Sequence, residues 1–252
     1  MKRSQVTFFS TLLFSLFFLG LPLTAHAVGL PTITFGVEDA TSPAQVSTGL
    51  QVLFLLTILS VAPAILLMMT SFTRIIIVLG FVRQAMGTQN MPPTQIIIGL
   101  SLFLTFFIMS PVINDINQQA LQPYLNEEIS QQDALQTAII PLREFMFSHV
   151  MEEELGLLSD LTLENEPVNK DDIPTLTLIP AFMLSELKRA FQMGFLVYIP
   201  FLVIDMIVAS VLMSMGMMML PPIIISMPFK LLLFVLIDGW GLVVGSLLQS
   251  FG

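Results

Sequence analysis

Three ionisable side chains lie inside long apolar stretches of this chain: Asp205, Lys230 and Asp238. A charge in such a setting is costly and needs an opposite charge, a hydrogen-bond partner or water. Residues of this kind can make a packing contact, a working ion pair or a proton-handling pair. Between the first two lies Met213–Pro222, which carries Met213, Met215, Met217, Met218 and Met219 within seven positions. A thioether chain is unbranched, soft and apolar, so such a run can fill a gap of changing shape. Gly216 loosens the backbone in its middle, and Pro221 and Pro222 stop any helix that reaches them. The stretch reads as the deformable apolar tip of a helical hairpin. It is either buried in ordinary packing or plugs a passage.

The spacing of the charges bears on that choice. With the turn centred on Pro221 and Pro222, Asp205 lies about 16 residues before it and Asp238 about 16 after, each roughly 25 Å from the tip. Lys230 is only about 13 Å from the same tip. A straight hairpin then keeps Lys230 away from both aspartates. The spacing predicts pairs between subunits, such as Lys230 with Asp205 of a neighbouring copy, and hence an oligomer.

Other chemistry is not written in the chain. There is no cysteine, so thiolate metal sites and disulfides are excluded, and the two histidines, His26 and His149, lie far apart. No His-Glu-x-x-His, Gly-x-Ser-x-Gly or phosphate-loop motif occurs. No enzymatic activity, cofactor or metal is expected. A formal net charge of -9 argues against nucleic acid as a partner.

The elements that must position these residues follow from composition. Of 252 residues, 55% are hydrophobic and 11% charged, where soluble domains carry about 25% charged. This is a membrane-class, all-α chain. Residues 1–27 have a basic start (Lys2, Arg3), a short apolar run and Ala25-His26-Ala27, the pattern of a cleavable signal peptide. Residues 28–48 read as a polar leader outside the membrane, ending in a helix cap at Ser42-Pro43-Ala44-Gln45. Residues 49–113 hold two apolar segments, about 50–72 and 95–112, interrupted by Pro63 and Pro111. Arg74 and Arg83 lie in the connection over 73–94, which the positive-inside rule places in the cytoplasm. Their role there is topological, or else they bind a cytoplasmic partner.

Residues 114–190 differ in kind. Fourteen acidic residues face four basic ones across Asn114–Arg189, and the topology puts this region in the periplasm. Ser130 reads as a helix cap. Leu135, Ile139, Leu142, Phe145, Met146 and His149 follow near helical spacing, with Pro141 bending the helix. Glu152-Glu153-Glu154 and the stretch from Asp160 to Asp172 read as solvated loop. A further helix starts at Pro180, where Glu186 and Arg189 share a face. Residues 191–252 form the second apolar hairpin, with Pro200 and Pro228 inside its segments and the Met-rich loop between them. Helices broken by proline are tolerated in a membrane where protein or a water-filled cavity surrounds them, which points to a transport assembly.

Pro180-Ala181-Phe182-Met183-Leu184-Ser185-Glu186-Leu187-Lys188-Arg189-Ala190-Phe191-Gln192-Met193-Gly194-Phe195, together with 201–222, Thr70-Ser71-Phe72-Thr73-Arg74 and 84–93, resembles the FliP family of export-gate subunits in flagellar type III secretion. The likeness covers nearly the whole chain. It implies a pentamer joined by FliR-like and FliQ-like subunits in a helical cone of the basal body at the bacterial inner membrane, largely on the periplasmic side. It also implies that unfolded flagellar proteins pass through the cone. In the family the Met-rich loop is a gasket, and Met217, Met218 and Met219 match it. Asp205, Lys230 and Glu186 match charged positions tied to assembly and function, and Phe145 matches an aromatic position where subunits meet. Virulence-system relatives are close, and the signal peptide favours the flagellar branch. Two other readings stay open: a proton-coupled solute transporter using Asp205 and Asp238, and a structural template for the basal body.

Overall fold

The computed structural model describes residues 43–88, 91–162, 167, 169–217 and 219–252, with residues 43–49 as backbone alone. The signal segment, the polar leader up to Ser42 and Met218 lie outside these residues. The regular structure of the described residues is all helix, with no strand among them. Residues from Phe54 onward form one compact unit.

Helix α1 runs from Pro43 to Met68 and passes through Pro63 without interruption. Its window Leu50–Met68 has a mean hydropathy of 2.4 and none of it is buried. After a short turn, α2 spans Phe72–Ala85. The sequence reading made this part of a connecting loop. It is instead the centre of the fold. Ile75, Val78, Leu79 and Val82 are buried, an i, i+3, i+4, i+7 stripe that faces a core on one side of the helix. Two arginines in a short segment disguise that stripe.

Helix α3 covers Thr94–Ile116 and continues through a π-helical stretch, Asn117–Leu121, into α4, Gln122–Leu125. Helix α5 covers Gln131–His149, and Ser130 caps it by accepting from the Asp133 amide at 3.2 Å, as its Ser-x-x-Asp pattern predicts. Pro141 sits inside α5, which stays one helix. Glu152–Thr162 is helix α6, not a loop. Three carboxylates in its first turn lie where the helix dipole favours negative charge.

Helix α7 is 40 residues long, Thr175–Ser214, with Pro180 and Pro200 inside it. It starts before Pro180, directly after Pro174, and neither proline ends it. At 1.5 Å per residue it measures about 60 Å, roughly twice the hydrocarbon thickness of a bilayer. Its first half packs on α2, α5 and α6. At Gly194 the helix lies tight against α2, and an added Cβ would collide with the Phe81 ring. Beside it, Phe81 and Phe191 meet edge to face at 5.5 Å.

Helices α8, Pro222–Leu236, and α9, Gly239–Gln249, make up the fourth apolar segment. They meet at a 63° bend. The bend has a local cause. Asp238 adopts the left-handed conformation at φ 51°, and Gly239 lies under the Phe234 ring with no room for a Cβ. By length and composition, three helices among the described residues could cross a membrane (α1 from Leu50, α3 with its extension to Leu125, and α7), or four if the bent pair is one span.

Candidate functional site

The α7–α8 hairpin carries the Met-rich stretch at its tip. Helix α7 ends at Ser214, and the amides of Gly216 and Met217 donate to the carbonyls of Met213 and Leu212, at 3.1 and 3.0 Å. Gly216 has φ 75°. This is a Schellman closure, in which glycine takes the left-handed position a Cβ would strain. Gly216 is therefore the stop signal of α7, and Pro222 is the first residue of α8, where its fixed φ suits a helix start. The turn lies over 215–221, not on the two prolines. Met213, Met215 and Met217 are exposed along it, and Met219 is 98% exposed.

That shift of the tip changes the charge geometry. Asp205 is nine residues before Ser214 and Lys230 is eight after Pro222, so both sit about 12–14 Å up their helices. They face each other within one chain, with Lys230 Nζ 2.5 Å from Asp205 Oδ2. Ser226, one helical turn before Lys230, donates to Asp205 Oδ1 at 2.5 Å. The staggered arrangement that sent Lys230 to a neighbouring copy is thereby corrected. Lys230 is buried, while the Asp205 side chain is 26% exposed. Gly87, at φ 72° in the turn after α2, lies against this pair: a Cβ there would be 3.7 Å from Lys230 Nζ.

Asp238 does not join them. It is exposed at the α8–α9 bend, with its carboxylate folded over Gly241. The expectation of a third buried charge is corrected accordingly. Its backbone conformation, not a buried partner, is its structural contribution.

A second ion pair lies deeper in the body, and the sequence reading did not anticipate it. Arg74 of α2 donates from Nε to Glu186 Oε2 at 2.8 Å and from Nη2 to Glu186 Oε1. The two side chains are 1% and 0% exposed. Arg74 is thus an interior residue rather than a loop charge, and Glu186 pairs with it rather than with Arg189. Arg83, by contrast, is half-buried and donates to Thr94 Oγ1 at 3.0 Å. It links α2 to the start of α3.

Phe145 is buried in an aromatic group with Phe182 at 6.0 Å, Phe251 at 6.3 Å and the His149 ring at 4.5 Å. Phe145 and Glu186, two of the residues the resemblance ties to assembly, are both interior to this chain. Any effect they have on neighbouring subunits would run through the chain's own fold. At the outer side of α7, Lys188 pairs with Glu153 at 2.7 Å and Glu154 at 3.0 Å. The Lys188 ammonium, by hydrogen bond and by charge, holds the Glu153 carboxyl below the usual carboxylate range. Among the described residues no group of three or more His, Asp or Glu side chains could hold a metal.

Ser226, Ser250 and Phe251 are the functional neighbours that sequence reasoning missed. Ser226 was legible: it is four residues before Lys230 in an otherwise apolar helix, and so on the same face. Nothing in the sequence ties residues 250 and 251 to position 74.

A family model, described as the FliP family, matches residues 55–247. A flagellar biosynthetic protein FliP of Bacillus subtilis is 56% identical over 85% of this chain and 97% of its own length. The protein of that name from Buchnera aphidicola is 49% identical over 97% of this chain and 64% of its own length, and the one from Pectobacterium carotovorum is 55% identical over 80% and 78%. With a match across three-quarters of its length and identity of this order, the chain belongs to the FliP family.

Proposed function

We propose that this chain is a core subunit of the flagellar type III protein export gate, and that its Met-rich loop is the seal of the channel. The observation that carries the reading is the hairpin tip. Among the described residues, Met215, Met217 and Met219 are exposed in the turn and Met213 at the end of α7, and the two helices are braced by an ion pair a little over two turns further up. A ring of such tips, supplied by several copies, would exclude water and ions because the side chains are apolar. It would widen for an unfolded polypeptide because each thioether chain has many rotamers. The bare apolar faces of α1, α3 and α7 suit burial against lipid and against other subunits. We assign as partners further copies of the chain in a pentamer, FliR-like and FliQ-like subunits, other basal-body proteins and unfolded flagellar substrates. The assembly sits at the bacterial inner membrane with the α5–α6 region on the periplasmic side. The relatives named above are all flagellar proteins, which favours the flagellar over the virulence branch. Energy comes from other components.

A proton-coupled transporter built on Asp205 and Asp238 is less well supported. Asp205 is engaged by Lys230 and Ser226, and Asp238 lies exposed at the bend. The test is membrane conductance in cells carrying the assembled complex. Replacing Met217, Met218 and Met219 with alanine leaves assembly intact and raises ion leakage. Unchanged conductance in the assembled variant contradicts the seal.

A further inference from the structure

We infer that Ser250 and Phe251 form a latch, closed on Arg74, that fixes the arm beyond the Met-rich loop to the acidic region of the chain. A buried ion pair stabilises only when its remaining donors are also satisfied. A guanidinium has five N–H donors, and Glu186 takes those of Nε and one of Nη2. Nη1 goes elsewhere, to the Ser250 carbonyl at 2.8 Å and to Ser250 Oγ at 2.9 Å. Ser250 is the C-terminal cap of α9, and its hydroxyl is aimed by donating to the Leu247 carbonyl at 2.7 Å. Arg74 thereby places a positive charge at the negative end of the α9 dipole. The open face of the guanidinium is covered by the Phe251 ring, 3.7 Å from Cζ, a cation–π contact strengthened by desolvation.

Phe251 also reaches the acidic region. Its ring stacks on Phe145 at 17° between planes and lies 5.3 Å from the His149 ring, both on α5. One arginine therefore joins α2, α7 and the end of α9, and one phenylalanine carries that junction to α5. Helix α9 follows directly on the bent α8, so the latch closes a path from the downstream helix of the Met-rich hairpin to the region between α3 and α7. The inference rests on this geometry alone, whether or not the loop is a seal.

The chain has no cysteine, so two introduced thiols report cleanly. Spin labels at Gln136→Cys on α5 and Ser246→Cys on α9, both exposed positions, are placed in the full-length chain. It is reconstituted with an excess of unlabelled copies, and the distance between labels is read by pulsed electron resonance. The unaltered chain gives one narrow distance. Phe251→Leu, which keeps an apolar side chain but removes the ring, and Arg74→Lys, which keeps the charge but not the fork, each lose that narrow peak. Phe251→Tyr, which keeps the ring, restores it. Exchanging charges through Arg74→Glu with Glu186→Arg does not restore it, because the Ser250 carbonyl loses its donor. A narrow distance retained in both Phe251→Leu and Arg74→Lys overturns the latch. So does its recovery in the charge exchange, which would leave only an ion pair.

Discussion

The two buried ion pairs differ in how the chain surrounds them. Arg74–Glu186 joins elements 112 residues apart. It is bidentate, sealed on every side and tied to a third helix. Lys230–Asp205 joins two arms of one hairpin, 25 residues apart, and leaves a quarter of the Asp205 side chain exposed. The first pair fixes which helices form the body. The second sets the register of two helices that adjacency in sequence already brings together. The interior of the body and the hairpin below the exposed tip are thus braced by the same chemistry at different degrees of enclosure.

Breaking the body pair should have the largest effect. Removing one partner leaves an uncompensated buried charge, which costs about 3–5 kcal/mol. Arg74→Ala and Glu186→Ala should each abolish a protease-resistant chain in membranes. Glu186→Gln, which keeps the shape, should lose less. If Glu186→Ala were as resistant as the parent, the contrast between the two pairs would collapse.

The hairpin pair should matter less, about 1.5–3 kcal/mol for Lys230→Met, on the scale of hydrogen bonds to charged groups. Here the sharper test is location. Lys230→Asp combined with Asp205→Lys in one chain should recover stability. Two chains carrying one substitution each should not recover it when expressed together. Rescue between chains would reinstate pairing across subunits.

That difference also shows what the sequence could and could not reveal. The apolar segments, the Ser130 cap and the Met-rich tip are local patterns, and they are legible. Placing the turn on Pro221 and Pro222 misplaces the register of the hairpin. Gly216 ends α7 earlier, and a shift of a few residues moves Lys230 from opposite nothing to opposite Asp205. The place of Arg74 is hidden for another reason. Charge asymmetry across loops cannot distinguish a solvated arginine from one whose partner lies 112 residues away, and no periodicity links positions 74, 186 and 250. Glu153 and Glu154 look like solvated loop because their partner, Lys188, is again distant.

The smallest effect should come from that surface contact. The Glu153 carboxyl is held below its usual range by Lys188. Its contribution is therefore present above the ordinary carboxylate value and disappears as the pH falls through the lowered one. Glu153→Gln should lower thermal stability slightly near neutral pH, and the difference from the parent should vanish in acid. It should also shrink in high salt, as exposed pairs do. A deficit that persists in acid would mean that Glu153 acts through packing.

The central claim is that the exposed methionines line the path of the exported chain. Its most direct test is a photo-crosslinking residue at Met217 or Met219, in cells where an export substrate carrying a tightly folded plug is stalled in the gate. The account predicts adducts between the stalled substrate and both loop positions, and none from the same residue at Leu59 on the bare face of α1. Equal labelling at all three positions, or none at the loop, would contradict it.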